Sequence, residues 1–265
     1  MNRSQKFRLA TLGPLITVWG CAMLEPTASY SQPITNPDLG DLILYYEPPL
    51  DEGFNEIYTI LQETAFFDDL VAELNRTYRL PQDIDIVFVE CGEENAFYDP
   101  EAVEVNMCYE LLRKYADIFA EEYQGNYSDE VILAGHFTFL HELGHALVDQ
   151  YQLPIIAREE DVVDSFATIL LLQTGEEDAV IAGIEQFDVD AAEDEEFGEL
   201  PFWGEHSLSI QRLYNIACLA YGSDPTAYAD FVGDDFLPEE RAEQCPEEYE
   251  QAAEGWQTLL TEFIK

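Results

Sequence analysis

The sequence predicts an α+β fold: a small sheet with an edge hairpin, packed on a helical majority. Three observations carry this. Apolar residues recur at helical spacing in several long stretches. Runs with strand character are few and short. An Asp99-Pro100 turn signal separates residues 95–98 from residues 102–107, which folds those two runs into a hairpin. The chain has 265 residues, 47% of them apolar, enough for one large domain with a proper core.

Taken in order, residues 30–53 are rich in Pro, Asp and Gly and read as a tether and lead-in, with one apolar strand at 42–46. Across 55–78, Ile57, Ile60, Leu61, Phe66, Phe67, Leu70 and Leu74 fall at helical spacing, and Pro81 marks the end. Residues 84–89 read as a strand, and 102–107 as the return strand of the hairpin. Residues 109–124 are helical. Ser128 opens the next helix, with Asp129 and Glu130 in its first turn, and its apolar residues run to Val148 before Pro154. A helix over 158–173 carries Val162, Val163, Phe166, Ile169 and Leu170. Residues 174–204 read as an acidic, loop-rich stretch with a helix at 179–187. Amphipathic helices follow at 207–221 and 246–264. Residues 54–265 are expected to form a single domain.

The charge balance is extreme, with 55 acids against 11 Lys and Arg and a formal charge of -44. The acids are spread along the chain. They read as a solvated surface that favours solubility and salt tolerance, or that draws basic substrates. Nucleic acid is not an expected partner, because the bases that displace counterions from phosphates are missing.

Arg3, Lys6 and Arg8 precede an almost uncharged stretch at 9–24, short for a membrane span and suited to an export signal over residues 1–29. Two processing routes fit. One is a cut near Thr27-Ala28-Ser29. The other reads Val18-Trp19-Gly20-Cys21 as a lipoprotein box, cut before Cys21, whose lipid would attach the chain to a membrane. Removing 1–29 takes away three bases and one acid (Glu25), leaving 54 acids against 8 bases, or -46. The expected location is the bacterial periplasm, the envelope or outside the cell. Four further cysteines, Cys91, Cys108, Cys218 and Cys245, suit an exported chain with two disulfides. They allow three connectivities. Cys91–Cys108 and Cys218–Cys245 close the short local loops and are favoured, at about 3 kcal/mol each in the chain-entropy model.

His141-Glu142-Leu143-Gly144-His145 lies within the helix that Ser128 opens. Positions i and i+4 share one helical face, so the two imidazoles can reach one ion. Zinc at about 2.0–2.1 Å from each nitrogen suits that pair. Glu142 sits beside the first ligand, where it can act as general base on a zinc-activated water. Gly144 keeps side-chain bulk away from the ion. A catalytic zinc needs a third protein ligand and one open position. The next helix begins Glu159-Glu160-Asp161-Val162-Val163-Asp164, and the break at Pro154 lets it fold back. Glu160 and Asp164 share a face. Glu160 is therefore expected as the third ligand of one zinc per chain. Asp164 is expected to accept a hydrogen bond from the far nitrogen of His141, which fixes its tautomer. Glu159 and Asp161 read as acids complementing the helix dipole. His136, off the ligand face, reads as structural.

HExxH followed by a helix with Glu-x-x-x-Asp resembles the gluzincin metallopeptidases, of which the thermolysin group is the familiar example. Asn95-Ala96-Phe97-Tyr98 is similar to the segment on the edge strand of those enzymes. The resemblance implies a zincin-like fold, hydrolysis of peptide bonds, and a peptide or protein substrate held by strand addition at Asn95 and Ala96. It also implies a downstream His that steadies the oxyanion. His206, with Glu205 or another acid to orient it, would supply that group. The HELGHAL core, Arg-Glu-Glu-Asp at 158–161, Asn-Ala-Phe-Tyr-Asp-Pro at 95–100 and Tyr-Gly-Ser-Asp-Pro at 221–225 also resemble a bacterial family of metallopeptidase-like proteins over residues 55–250. The chain departs from the thermolysin group in length and in its short spacing from His145 to Glu160, which leaves the substrate class open. The expected function is an exported zinc metallopeptidase. The other reading keeps the ligands in a non-catalytic envelope protein with a binding or assembly role.

Overall fold

Short apolar runs at 42–46, 84–89, 96–99 and 104–108 assemble into one four-stranded sheet. The computed structural model describes residues 36–122, 128–197, 204, 206–233 and 236–265. The export signal expected at 1–29, with Cys21, and the expected orienting acid Glu205 lie outside the described residues. The strands are β1 (Leu42–Tyr46), β2 (Ile84–Val89), β3 (Ala96–Asp99) and β4 (Glu104–Cys108), in the order β1-β2-β4-β3. β1 and β4 both run parallel to β2, and β3 runs antiparallel to β4. β2 is central, and Ile84, Ile86 and Phe88, which alternate onto one face, are buried in the core. The expected hairpin is β3–β4. The Asp99 carboxylate accepts from the backbone of Glu101 and Ala102, which closes its turn.

Helices α1 (Asn55–Thr64) and α2 (Phe66–Thr77) make the crossover between the parallel strands β1 and β2. One continuous helix is the sequence expectation here. Instead the backbone breaks at Ala65, at φ 50°. Ile57 and Leu61 set the buried phase of α1, and continuing it would bring Asp68 inward. The break shifts the phase by one residue, so that Phe67, Val71 and Leu74 are buried instead.

The remaining helices are α3 (Tyr109–Glu122), α4 (Ser128–Gln150), α5 (Glu159–Thr174), α6 (Glu177–Phe197), α7 (Ser209–Ser223), the single turn α8 (Glu239–Ala242) and α9 (Cys245–Leu260). α6 corrects the expected loop-rich stretch: Ala179, Val180, Ala182, Ile184, Phe187 and Ala191 form a buried stripe, so the acids need only occupy the outer face. α4 is the centre of the molecule. It packs against α3, α5, α6 and the β3–β4 hairpin. It is long and apolar enough to cross a membrane, but 83% of that apolar window is buried inside the protein, which makes it a core helix. Both expected disulfides are present. Cys91–Cys108 fastens the approach to β3 onto the end of β4. Cys218–Cys245 fastens α7 to the start of α9.

Candidate metal centre

α4 carries His141 and His145 one turn apart, and α5 brings Glu160 against them. These three side chains each offer one ligand atom, all within 4.8 Å of one another. Glu160 Oε2 lies 3.3 Å from His141 Nε2 and 3.5 Å from His145 Nε2. It is buried, yet it makes no hydrogen bond to either ring. Two imidazole nitrogens and one carboxylate oxygen thus converge on a common point. That is the arrangement a cation requires.

The two helices approach closely because Gly144 lies between them. A Cβ there would stand 2.8 Å from Val163 Cβ and 3.2 Å from Phe166 Cδ1. The expectation that Gly144 clears space beside the ion is thereby corrected. It clears space for α5 instead, because its position on the helical wheel turns it away from the ligand face and toward the neighbouring helix.

Each imidazole is held from behind. His141 Nδ1 is 2.8 Å from Asp164 Oδ1, the partner expected from sequence. His145 Nδ1 is 2.8 Å from Glu159 Oε1. Glu159 therefore does more than complement the helix dipole. The requirement that each ligand His find a second partner is the signal that could have found it. A second residue also escapes the sequence reading. Arg212 of α7 donates to both oxygens of Asp164, at 2.7 and 2.8 Å, and its guanidinium lies 4.2 Å from the Phe187 ring centroid. Its sequence signal is an arginine on the apolar stripe of an amphipathic helix, one turn before Ile216, in a chain poor in bases.

These contacts set the charges. Burial alone would push the Asp164 carboxyl up, but the Arg212 guanidinium and His141 hold it well below the usual carboxylate range. Burial pushes the His141 imidazole down. The charge and hydrogen bond of Asp164, with Glu160 and Glu142 nearby, overcome that and raise it to about 9. A metal entering the centre therefore displaces a proton.

Glu142 is buried, with Oε1 4.0 Å from His141 Nε2. The His206 side chain is more than half exposed, and its Nε2 is 2.9 Å from Glu160 Oε2. It thus stands over the carboxylate of the expected ligand set. His136 is buried in the core, its ring 5.0 Å from that of Phe66.

The centre opens into a cleft of about 980 Å³ that runs along β3 and is lined by Asn95, Ala96, Tyr98, His206 and the three ligand candidates. β3 is an edge strand, so one side of its backbone faces this cleft. The Cys108 amide donates to the Asn95 carbonyl. By the alternation of an antiparallel ladder, Asn95 and Phe97 turn their backbone groups to β4, while Ala96 and Tyr98 turn theirs to the open edge. The Tyr98 hydroxyl donates to Asp149 Oδ2 at 2.7 Å, which fastens that edge to α4.

A family model described as "Putative metallopeptidase" matches residues 46–260. No curated protein and no solved structure matches the chain. The family match takes in β2, the β3–β4 hairpin and both ligand-bearing helices, and the chain belongs to that family.

Proposed function

We propose that the protein is an exported zinc-dependent metallopeptidase of gluzincin type, with His141, His145 and Glu160 as ligands. The observation that carries this reading is the convergence of Glu160 Oε2 with two imidazole nitrogens, at 3.3 and 3.5 Å. Ligand atoms about 2.0–2.1 Å from a tetrahedral zinc stand about 3.3–3.5 Å apart, so the separations fit that ion. Two nitrogens and one carboxylate oxygen also suit zinc and leave a fourth position for reaction. The two disulfides support an oxidising compartment, and hence export.

When bound, the zinc supplies Lewis acidity that activates a water and polarises the scissile carbonyl. Glu142 takes the proton from the attacking water and delivers it to the leaving amine. Asp164 and Glu159 hold the two imidazoles in the tautomer that presents Nε2 to the ion. The outward backbone groups of Ala96 and Tyr98 receive the substrate as an added strand, with Asn95 at the entry to that edge. His206 borders the same space and steadies the oxyanion.

Glu142→Gln should keep about one zinc per chain and lose chelator-sensitive peptide cleavage by about 100-fold or more. Cleavage that survives this change would remove Glu142 from its role. Purified protein without zinc would overturn the reading as a whole. Zinc held with no cleavage of any peptide would favour the non-catalytic binding role instead. Glu160→Ala should weaken zinc binding more than Glu159→Ala, because only Glu160 is proposed to touch the ion.

A further inference from the structure

Arg158 is the one Lys or Arg among the described residues that line the metal-centre cleft. In a chain with 55 acids and 11 Lys and Arg, a cation there has carboxylates on every side to pair with. It pairs with none of the described ones. Four acids line the same cleft, and each is turned to another group. Glu160 faces the two imidazoles, Glu159 holds His145 from behind, Asp149 accepts from Tyr98 and Gln150, and Glu142 stands beside His141. The Arg158 side chain is exposed, and its guanidinium makes one hydrogen bond, from Nη1 to the His206 carbonyl at 3.4 Å. A guanidinium carries five N–H donors, so most of them are open to a ligand. Their place is set by α5. Arg158 precedes its first turn, two residues before Glu160, and its carbonyl accepts from the Val162 amide. The ring of the same His206 reaches Glu160 Oε2 at 2.9 Å, so the open donors border the metal centre. Arg79 and Arg113, the other described arginines outside ion pairs, donate to the carbonyls of Ile264 and Gly53, away from the cleft.

We infer that Arg158 selects substrates that bring a carboxylate to the metal centre, and that its guanidinium fork holds that carboxylate. The inference rests on the peptidase reading above. Two parallel N–H groups match the two oxygens of a carboxylate, and charge strengthens both bonds. A neutral amide offers one oxygen and no charge. A peptide supplies a carboxylate from an Asp or Glu side chain or from its free C-terminus, and the fork suits both. The acidic surface of the molecule acts at a different range. It draws basic peptides from a distance and fades with salt, whereas Arg158 acts at contact. The best substrate is therefore basic overall and carries one carboxylate within reach of the metal centre.

The experiment gives the zinc-loaded full chain matched peptide pairs on one basic scaffold, with cut sites read by mass spectrometry and a chelator control. One arm compares a free C-terminus with its amide. The other scans Glu against Gln, and Asp against Asn, across the positions flanking the cut. In one arm the carboxylate member is expected to be cleaved with at least about fivefold higher kcat/KM than its neutral isostere. The arm in which this occurs names the source of the carboxylate. Arg158→Gln should bring the ratio to about one with zinc content unchanged, and Arg158→Lys, which keeps the charge but loses the fork, should give an intermediate ratio. The field of the acidic surface bears almost equally on the protein and these variants, so it drops out of the comparison. Chelator-sensitive cleavage with a ratio near one in both arms overturns the Arg158 inference alone. So does a carboxylate preference that survives Arg158→Gln. Absence of chelator-sensitive cleavage overturns the peptidase reading and this inference with it.

Discussion

Arg212 sets the electrostatics of the metal centre from a distance. It neutralises Asp164, a carboxylate buried behind His141, through two charge-assisted hydrogen bonds. Arg212→Met would leave that charge uncompensated in the interior. The expected loss is about 3–5 kcal/mol in denaturant unfolding, with weaker zinc binding alongside. A loss under about 1 kcal/mol would mean that Asp164 is neutralised in some other way. His136 provides a separate test at this scale. Burial pushes its imidazole from the ordinary 6.5 down to about 4, and its Nδ1 is buried without a partner. The acids bordering the same cavity, Asp69, Glu73, Asp129 and Glu176, do not offset the burial. The folded value lies below the unfolded one, so between pH 6.5 and 4 the unfolded chain binds more protons. Stability is therefore lost as pH falls through that window, by about 2 kcal/mol at pH 5 from this group. With chelator present, His136→Leu should reduce the stability difference between pH 7.5 and pH 5 by about that amount. An unchanged difference would assign the acid sensitivity to other groups. What the sequence makes legible among these residues is what helical spacing alone dictates. His141 and His145, and Glu160 and Asp164, are pairs at i and i+4, and the fold brings the two pairs together. Arg212 and Glu159 depend on how α5 and α7 turn against α4, which no local spacing encodes.

At the scale of the elements, the centre depends on the closeness of α4 and α5. Gly144→Ala would place a methyl 2.8 Å from Val163 Cβ and 2.9 Å from Val163 Cγ1, atoms held near the α5 backbone and unable to swing aside. The overlap costs about 1–3 kcal/mol, and the better helix propensity of Ala returns about 1 kcal/mol. The helices are expected to separate, carrying Glu160 away from the imidazoles. Zinc titration should show weaker binding in Gly144→Ala and recovery when Val163→Ala is added. Zinc affinity that is unchanged in the single variant would show that the helix spacing does not set the site. Element types are largely readable from apolar periodicity: the 42–46 and 84–89 strands, the hairpin and the long α4 all follow it. The break at Ala65 is harder to read, because neither Gly nor Pro marks it and a shift in buried phase is its only trace. α6 is obscured for a different reason. Its acids read as loop, while the small Ala179, Ala182 and Ala191 that carry part of its buried stripe give a weak apolar signal. The pairing of β2 with both β1 and β4 is a property of tertiary assembly, beyond what any short window holds.

For the molecule as a whole, charge is the governing property. With 55 acids and 11 Lys and Arg, most carboxylates have no basic partner to face. The Lys and Arg ion pairs found among the described residues are few: Arg76–Glu73, Lys114–Asp190, Arg212–Asp164, Arg241–Glu248 and Lys265–Asp38. Such a surface repels itself in the folded state more than in the expanded chain, which lowers stability in dilute salt. Raising the ionic strength from about 0.01 M to about 1 M shortens the Debye length from about 30 Å to about 3 Å and screens that repulsion. The buried Arg212–Asp164 pair is screened far less, so this attraction survives while the surface repulsion fades. Thermal unfolding in NaCl and in KCl should therefore move upward together, by about 2–4 °C for each kcal/mol of repulsion relieved. Matching the two chlorides matters, since sulfate or phosphate would stabilise by exclusion from the surface whatever its charge. A midpoint that stays level or falls with chloride would mean that the acids are already compensated, through bound cations or a basic partner. The same surface would then lose its expected pull on basic peptides.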